Sequence, residues 1–325
     1  MQRERVRRIK KFSLPILIGA GAVVVLDVAR RVFRMMQLFN PSRVPVSTWN
    51  PEDYGIPRDQ SEEVWIETDD GETLYGWYLR SKNPVASALY CHGNTGNLTN
   101  SAHLMPHLLN SGINVLLFDY RGYGRSTGTA TMRGVIEDTL AAARYHEQIR
   151  PKNLPAILYG FSLGGAIAAQ VIPRYPFDGL ILQSTFTSLP DVAKIAFPRV
   201  PMHLISGSGF DTLRAIRDLR VPLLILHGTE DPACPCWMAD SLYASCNASK
   251  KILRVNGGLH KDLWERDAPG MLDAVGTFAR ELPRTAQPVI GPQRFSALRL
   301  MRRWVRHVIA SAAARHAGRR QVLSS

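Results

Sequence analysis

The stretch Ile157-Leu158-Tyr159-Gly160-Phe161-Ser162-Leu163-Gly164-Gly165-Ala166-Ile167-Ala168 decides the fold. It reads as a short apolar strand, a Gly-x-Ser-x-Gly turn and the first turns of an Ala-rich helix. A turn this tight forces the central serine into strained φ/ψ. The flanking Gly160 and Gly164 are needed because Cβ atoms would collide where strand and helix nearly touch. The strain lifts the Ser162 hydroxyl clear of the sheet, and the helix N-terminus aims backbone N–H groups at charge developing beside it. A Gly-rich βα turn of a non-catalytic domain has the same composition, so the context must carry the reading.

Outward from that stretch, apolar runs of four to six residues alternate with helical patterns. Strands are expected at 63–68 and 73–79, joined by the hairpin turn Asp69-Asp70-Gly71-Glu72, then at 88–91, 114–119, 156–160, 179–183, 222–227 and 251–255. Helices are expected over 97–109, about 131–147, from the turn to about 174, and 270–282. Short continuous apolar runs suit a parallel sheet buried on both faces. The fold class is therefore α/β, a mostly parallel sheet with helices on both faces. Residues 184–221, with Pro190, Pro198 and Pro201, are long enough for a small lid and too short for a cap domain.

The net charge of +13 dissolves when it is divided along the chain. Residues 1–48 carry ten Lys/Arg against two acids, 284–325 carry nine Arg and no acid, and 49–283 are net −4. A mildly acidic body with basic ends argues against a nucleic-acid groove and for ends that meet an anionic surface. Six basic residues precede an uncharged run from Phe12 to Leu26, and Arg30, Arg31 and Arg34 follow it. Fifteen residues is short for a span of about 20, yet no small-x-small cleavage site follows. Residues 1–39 are therefore read as an uncleaved membrane anchor with the body outside the cytoplasm, the alternative being a surface-lying helix with the body on the cytoplasmic face. Residues 40–60, with Pro41, Pro45, Pro51 and Pro57, read as an extended linker, and 61–283 as the catalytic domain. In the tail 284–325, Leu298, Met301, Val305, Val308, Ile309 and Ala312 fall at helical spacing opposite Arg299, Arg302, Arg303 and Arg306. That is a basic amphipathic helix suited to a bilayer interface.

A serine hydroxyl needs a base to take its proton and an anion to orient that base. After the strand at 222–227 comes Gly228-Thr229-Glu230-Asp231-Pro232, and Asp231 is the expected acid, with a helix-capping role as its structural alternative. After the last strand, the one histidine before the tail is His260, in Gly257-Gly258-Leu259-His260, and it is the expected base. His92 and His227 end strands and read as structural groups bonded to backbone. An oxyanion needs two prepositioned N–H donors. One is expected from Leu163, the other from Asn94 in the loop His92-Gly93-Asn94-Thr95-Gly96-Asn97. Cys91, Cys234, Cys236 and Cys246 lack the spacing of a zinc site, so neither a metal nor a cofactor is expected. Cys234 and Cys236 sit too close to bridge each other, while either could reach Cys246.

With these residues assembled, the chain resembles the α/β-hydrolase superfamily. It is most similar to the membrane-associated branch holding the bud-emergence-type hydrolases and the eukaryotic protein depalmitoylases of the ABHD group. The segments carrying the resemblance are "YCHGNTGN" at 90–97, "FDYRGYGRSTG" at 118–128, "YGFSLGGAIA" at 159–168, "STFTSLPDVA" at 184–193, "PLLILHGTEDPACP" at 222–235 and "GGLHKDL" at 257–263. The resemblance implies a triad on Ser162, Asp231 and His260 and oxyanion donors on Asn94 and Leu163. It also implies a structural role for the Asp119-Tyr120-Arg121-Gly122 loop. Phe161 stands where Arg or His is common, and "PACPCW" replaces the usual Val-Pro after the acid. The expected activity is a serine hydrolase acting on ester or thioester bonds of acyl substrates, lipid-like ones given two membrane-seeking ends. The alternatives are a peptidase of prolyl-oligopeptidase type and a non-catalytic membrane-tethered scaffold.

Overall fold

The computed structural model describes residues 38–196, 198 and 209–283. The expected anchor helix, the basic tail and the middle of the expected lid lie outside the described residues. Among those described, no helix is long and apolar enough to cross a membrane.

The strands are β1 (Asn40–Pro41), β2 (Ser61–Glu67), β3 (Thr73–Leu79), β4 (Ala86–Cys91), β5 (Thr95–Gly96), β6 (Ile113–Phe118), β7 (Ala156–Phe161), β8 (Gly179–Gln183), β9 (Leu223–Gly228) and β10 (Lys250–Val255). Eight of them form one sheet in the order β10-β9-β8-β7-β4-β6-β3-β2, and β1 pairs with β5 separately. β2 and β3 form an antiparallel hairpin and β3 runs antiparallel to β6; every other pairing is parallel. β4, β6, β7, β8 and β9 are buried at every residue, as a sheet covered on both faces requires. β2 lies at the sheet's edge and buries Val64 and Ile66 while its other side chains face outward.

The helices are α1 (Met105–Asn110), α2 (Met132–Ile149), α3 (Leu163–Val171), α4 (Leu189–Ala196), α5 (Thr212–Arg217), α6 (Cys236–Ser245), α7 (Leu263–Arg266) and α8 (Ala268–Glu281). Alternate strand residues feed two cores. Leu89, Leu116, Phe118 and Leu158 pack with α2, α3 and α6, while Tyr90, Val115, Leu117 and Tyr159 pack with α1, α7 and α8. Local chemistry starts the long helices. The Thr131 side chain accepts the Gly134 N–H at the head of α2, and Asp267 accepts that of Gly270 at the head of α8.

Two expectations need correction. The single helix over 97–109 is instead two 3-10 turns, Leu98–Asn100 and Ala102–Leu104, followed by α1. Asn97 and Asn100 close a capping box on each other, and Pro106, which has no N–H to give, sits in the first turn of α1 where none is needed. Residues 40–60 are extended at their start, as the prolines suggest, but they are bonded onto the domain. β1 pairs with β5 (Asn40↔Thr95, Pro41↔Gly96), and 3-10 turns form at Pro51–Tyr54 and Arg58–Gln60.

The chain steps from β4 outward to β6 and then back across to β7 on the other side of β4. Strand order therefore reverses between β4 and β7, and at such a point the C-terminal ends of the strands are where open α/β sheets bind ligands. The loops leaving those two strands carry Asn94 and Ser162.

Candidate active site

Ser162 joins β7 to α3 with φ 53° and ψ −119°, a conformation L-residues rarely adopt. The local sequence leaves no room for anything else. A Cβ on Gly160 would sit 2.4 Å from Gly165 Cα, and one on Gly164 would sit 1.9 Å from the Cys91 carbonyl oxygen. The strained residue is pinned from three sides. Its N–H donates to Gln183 O (2.9 Å), and its C=O accepts from Thr185 Oγ1 (2.7 Å) and the Gly165 N–H (3.0 Å). Strain of this kind costs about 1–3 kcal/mol and persists only where neighbours over-determine it.

The other expected residues come to the same edge. His260 Nε2 lies 2.9 Å from Ser162 Oγ, and His260 Nδ1 lies 2.8 Å from Asp231 Oδ2. The loops bearing His260 and Asp231 are tied to each other: Thr229 N–H donates to Val255 O, Glu230 N–H to Gly258 O, and Gly257 N–H to Thr229 Oγ1. Asp231 spends its second oxygen on the N–H groups of Ala233 and Cys234, both 2.9 Å away, so it caps its own loop while it faces the imidazole. Burial pulls the Asp231 carboxyl upward. The hydrogen bond from His260, the charge of that ring and the Cys234 N–H outweigh burial and hold it below its ordinary value.

His227 Nε2 donates to the Cys234 carbonyl (2.6 Å), the backbone role expected for it, and burial pushes this histidine down toward the neutral form. His92 does more than expected. Its Nδ1 donates to Gly93 O (2.7 Å), and its Nε2 lies 3.4 Å from Asp119 Oδ1 in a fully buried pair. Burial raises the Asp119 carboxyl, with His92 pulling the other way. Asp119 Oδ1 also accepts the Leu98 N–H (2.6 Å), and Tyr120 donates to His92 O (3.1 Å), so the 119–122 loop buttresses the loop at 92–97. Arg121 is held between Asp138 and Asp70.

Gly93 packs against the serine: a Cβ on it would be 3.7 Å from Ser162 Cβ and 3.2 Å from the Phe161 ring. Among the described residues, neither the Asn94 N–H nor the Leu163 N–H is spent on another backbone acceptor. Sequence reasoning noted Phe161 only as a departure from the family pattern and gave it no role. Its ring lies 5.4 Å from that of His260 and also touches Gly93, so one side chain braces both the base and the 92–97 loop. The signal was available in its position inside the pentapeptide, one residue before the serine.

Asp231, Cys234 and His260 offer ligand atoms within 4.8 Å of one another. Their donors are committed elsewhere: Asp231 holds His260 and two N–H groups, and burial keeps the Cys234 thiol protonated. All four cysteines are free thiols, so neither Cys234 nor Cys236 is bridged to Cys246.

Comparison with known proteins adds four findings. Residues 82–208 match the family model Hydrolase_4, described as serine aminopeptidase, S33; the match includes Asn94 and Ser162 and stops short of Asp231 and His260. The uncharacterized protein YfhR of Escherichia coli K12 is 33% identical over 221 residues, 64% of this chain and 76% of its own length. An uncharacterized membrane protein of Saccharomyces cerevisiae is 29% identical over 291 residues, 83% of this chain and 98% of its own. Among solved structures, an esterase of Pyrococcus furiosus superposes with a TM-score of 0.61 at 22% identity, covering 76% of this chain and 98% of that one.

Proposed function

The chain belongs to the α/β-hydrolase superfamily, and from that premise we propose that it is a serine hydrolase cleaving carboxylic ester or thioester bonds of acyl substrates. The observation that carries the reading is the unbroken hydrogen-bonded run from Ser162 Oγ through His260 to Asp231, with bonds of 2.9 and 2.8 Å.

His260 Nε2 takes the Ser162 proton as Oγ attacks the acyl carbonyl carbon. The negative charge that develops on the carbonyl oxygen is met by the N–H groups of Leu163 and Asn94; losing one such donor typically costs about 3–4 kcal/mol in the barrier. Collapse expels the alcohol or thiol, which takes the proton back from His260, and leaves an acyl-enzyme on Ser162. Water, deprotonated by the same imidazole, then releases the acid and restores the serine. Asp231 fixes the ring tautomer and stabilises the imidazolium throughout. No step requires a cofactor.

The finer substrate proposal is a lipid-like acyl ester at a membrane surface. Its support is the uncharged run from Phe12 to Leu26 between basic flanks, the basic tail, and a yeast relative named as a membrane protein. The family description favours one second reading, cleavage of peptides. A panel of p-nitrophenyl acyl esters, acyl thioesters and aminoacyl p-nitroanilides separates them. Turnover of esters and thioesters, lost in Ser162→Ala, is the expected result. Turnover confined to anilides would favour the peptidase, and none at all a scaffold.

A further inference from the structure

The loop expected to bind the oxyanion holds only part of its own shape. Gly93 has no side chain to restrain it, and Gly96 sits at φ 84°, so the dihedrals on either side of Asn94 are soft. The N–H of Asn94 belongs to the planar peptide unit 93–94, and the carbonyl of that unit, Gly93 O, is held by His92 Nδ1 at 2.7 Å. The next unit, 94–95, is held from outside the loop. Asn94 O accepts the Asn40 N–H at 2.9 Å and the Tyr123 hydroxyl at 2.8 Å. With both flanking peptide planes fixed, the Asn94 N–H has one direction to point.

Asn40 belongs to a segment bonded along its length to the same edge. Ser42 N–H donates to Gly96 O (2.7 Å), and Asn97 Nδ2 donates to Val44 O (2.7 Å) and Ser42 O (3.2 Å). Val46 N–H donates to Thr99 Oγ1 (2.9 Å), and Gly124 N–H donates to Ser42 O (2.9 Å). Arg43 reaches the carbonyls of Gly124 and Ser126. At its head, Leu38 and Phe39 are buried in the core that also holds Tyr120 and Tyr123. A connector needs none of this.

We infer that residues 38–46 are a positioning strap for the reaction: by pairing with 94–97 they hold the Asn94 N–H in place for the oxyanion. The inference rests on the hydrolytic reading for its chemical consequence and on the hydrogen bonds alone for its mechanical one. Misplacing a catalytic group by about 1 Å can cost about a hundredfold in rate, and untying one of two restraints on Asn94 should cost less, about tenfold.

Asn97→Asp in the full chain tests it. The substitution is isosteric and keeps Oδ1 as acceptor for the Thr99 N–H and hydroxyl. It removes both Nδ2 donors and sets a carboxylate oxygen against two carbonyls, so the strap is pushed off while the local cap stays. Arg43→Ala is the milder companion should Asn97→Asp fold poorly. Three measurements are made: hydrogen exchange of peptides covering 92–97, kcat and KM on a p-nitrophenyl ester, and affinity for a boronic acid, which mimics the tetrahedral oxyanion. Faster exchange at 92–97, kcat down about tenfold, KM within about twofold and boronate affinity down by the same factor as kcat are expected. Unchanged exchange at 92–97, or faster exchange with unchanged kcat, would overturn the strap. A wild-type protein that turns over no ester would instead remove the hydrolytic reading, and exchange would still judge whether the strap holds the loop.

Discussion

The turn at 160–165 and the loop at 92–97 pack against each other at one edge of the sheet and are built in opposite ways. The turn is made by its own residues: Gly160 and Gly164 have no space for a Cβ, and Ser162 is driven to positive φ between a strand and a helix that are continuous with it in sequence. The loop is made by others. Most of its restraints come from Asn40, Ser42, Tyr123 and Asp119, residues 21 to 54 positions away from their bonding partners, with His92 adding a local one. A self-made element fails as a whole when one residue is wrong. A borrowed one loosens by degrees, since each restraint carries part of the load.

The sharpest break is at the turn. Ser162→Ala should lower hydrolysis by about 10⁴-fold or more with the fold intact, read as kcat/KM together with an unchanged urea midpoint. Gly164→Ala comes next. A methyl 1.9 Å from the Cys91 carbonyl must push β4 and α3 apart, so a loss of about 3 kcal/mol or more is expected from urea unfolding. Phe161→Ala touches both regions, because the ring packs on His260 and on Gly93. It should lower kcat about tenfold and raise exchange in both segments. The smallest effect belongs to the loop alone. Tyr123→Phe deletes one of two donors on Asn94 O and should lower kcat by only about threefold, with KM unmoved. If Tyr123→Phe instead proved as damaging as Gly164→Ala, the contrast between the two regions would fail.

The same contrast explains what could be read from the sequence. The strand, turn and helix around Ser162 are contiguous, so composition and period show them directly. Asp231 and His260 are legible because each follows a strand, and strand ends of a parallel sheet gather at one edge whatever the distance along the chain. Asn94 is legible as a Gly-flanked loop position after β4 for the same reason. The bond from Asn40 to Asn94 leaves no trace in the residues near either, because an N–H meeting a C=O places no demand on side-chain type. Pro41 does lie in extended backbone, but Pro51 opens a 3-10 turn, and neither proline says what the segment pairs with. The helix expected over 97–109 has apolar residues at helical spacing, and it is interrupted by the capping box of Asn97 and Asn100, a local bond that competes with the helical one.

The central claim is that the Ser162 hydroxyl is the nucleophile and owes its reactivity to His260. Its most direct test is mass mapping of the adduct formed by a fluorophosphonate on the wild-type chain, with His260→Ala alongside. One adduct, on the peptide containing Ser162 and absent from His260→Ala, is the result expected. An adduct on another residue, or one on Ser162 formed just as fast without the imidazole, would contradict it.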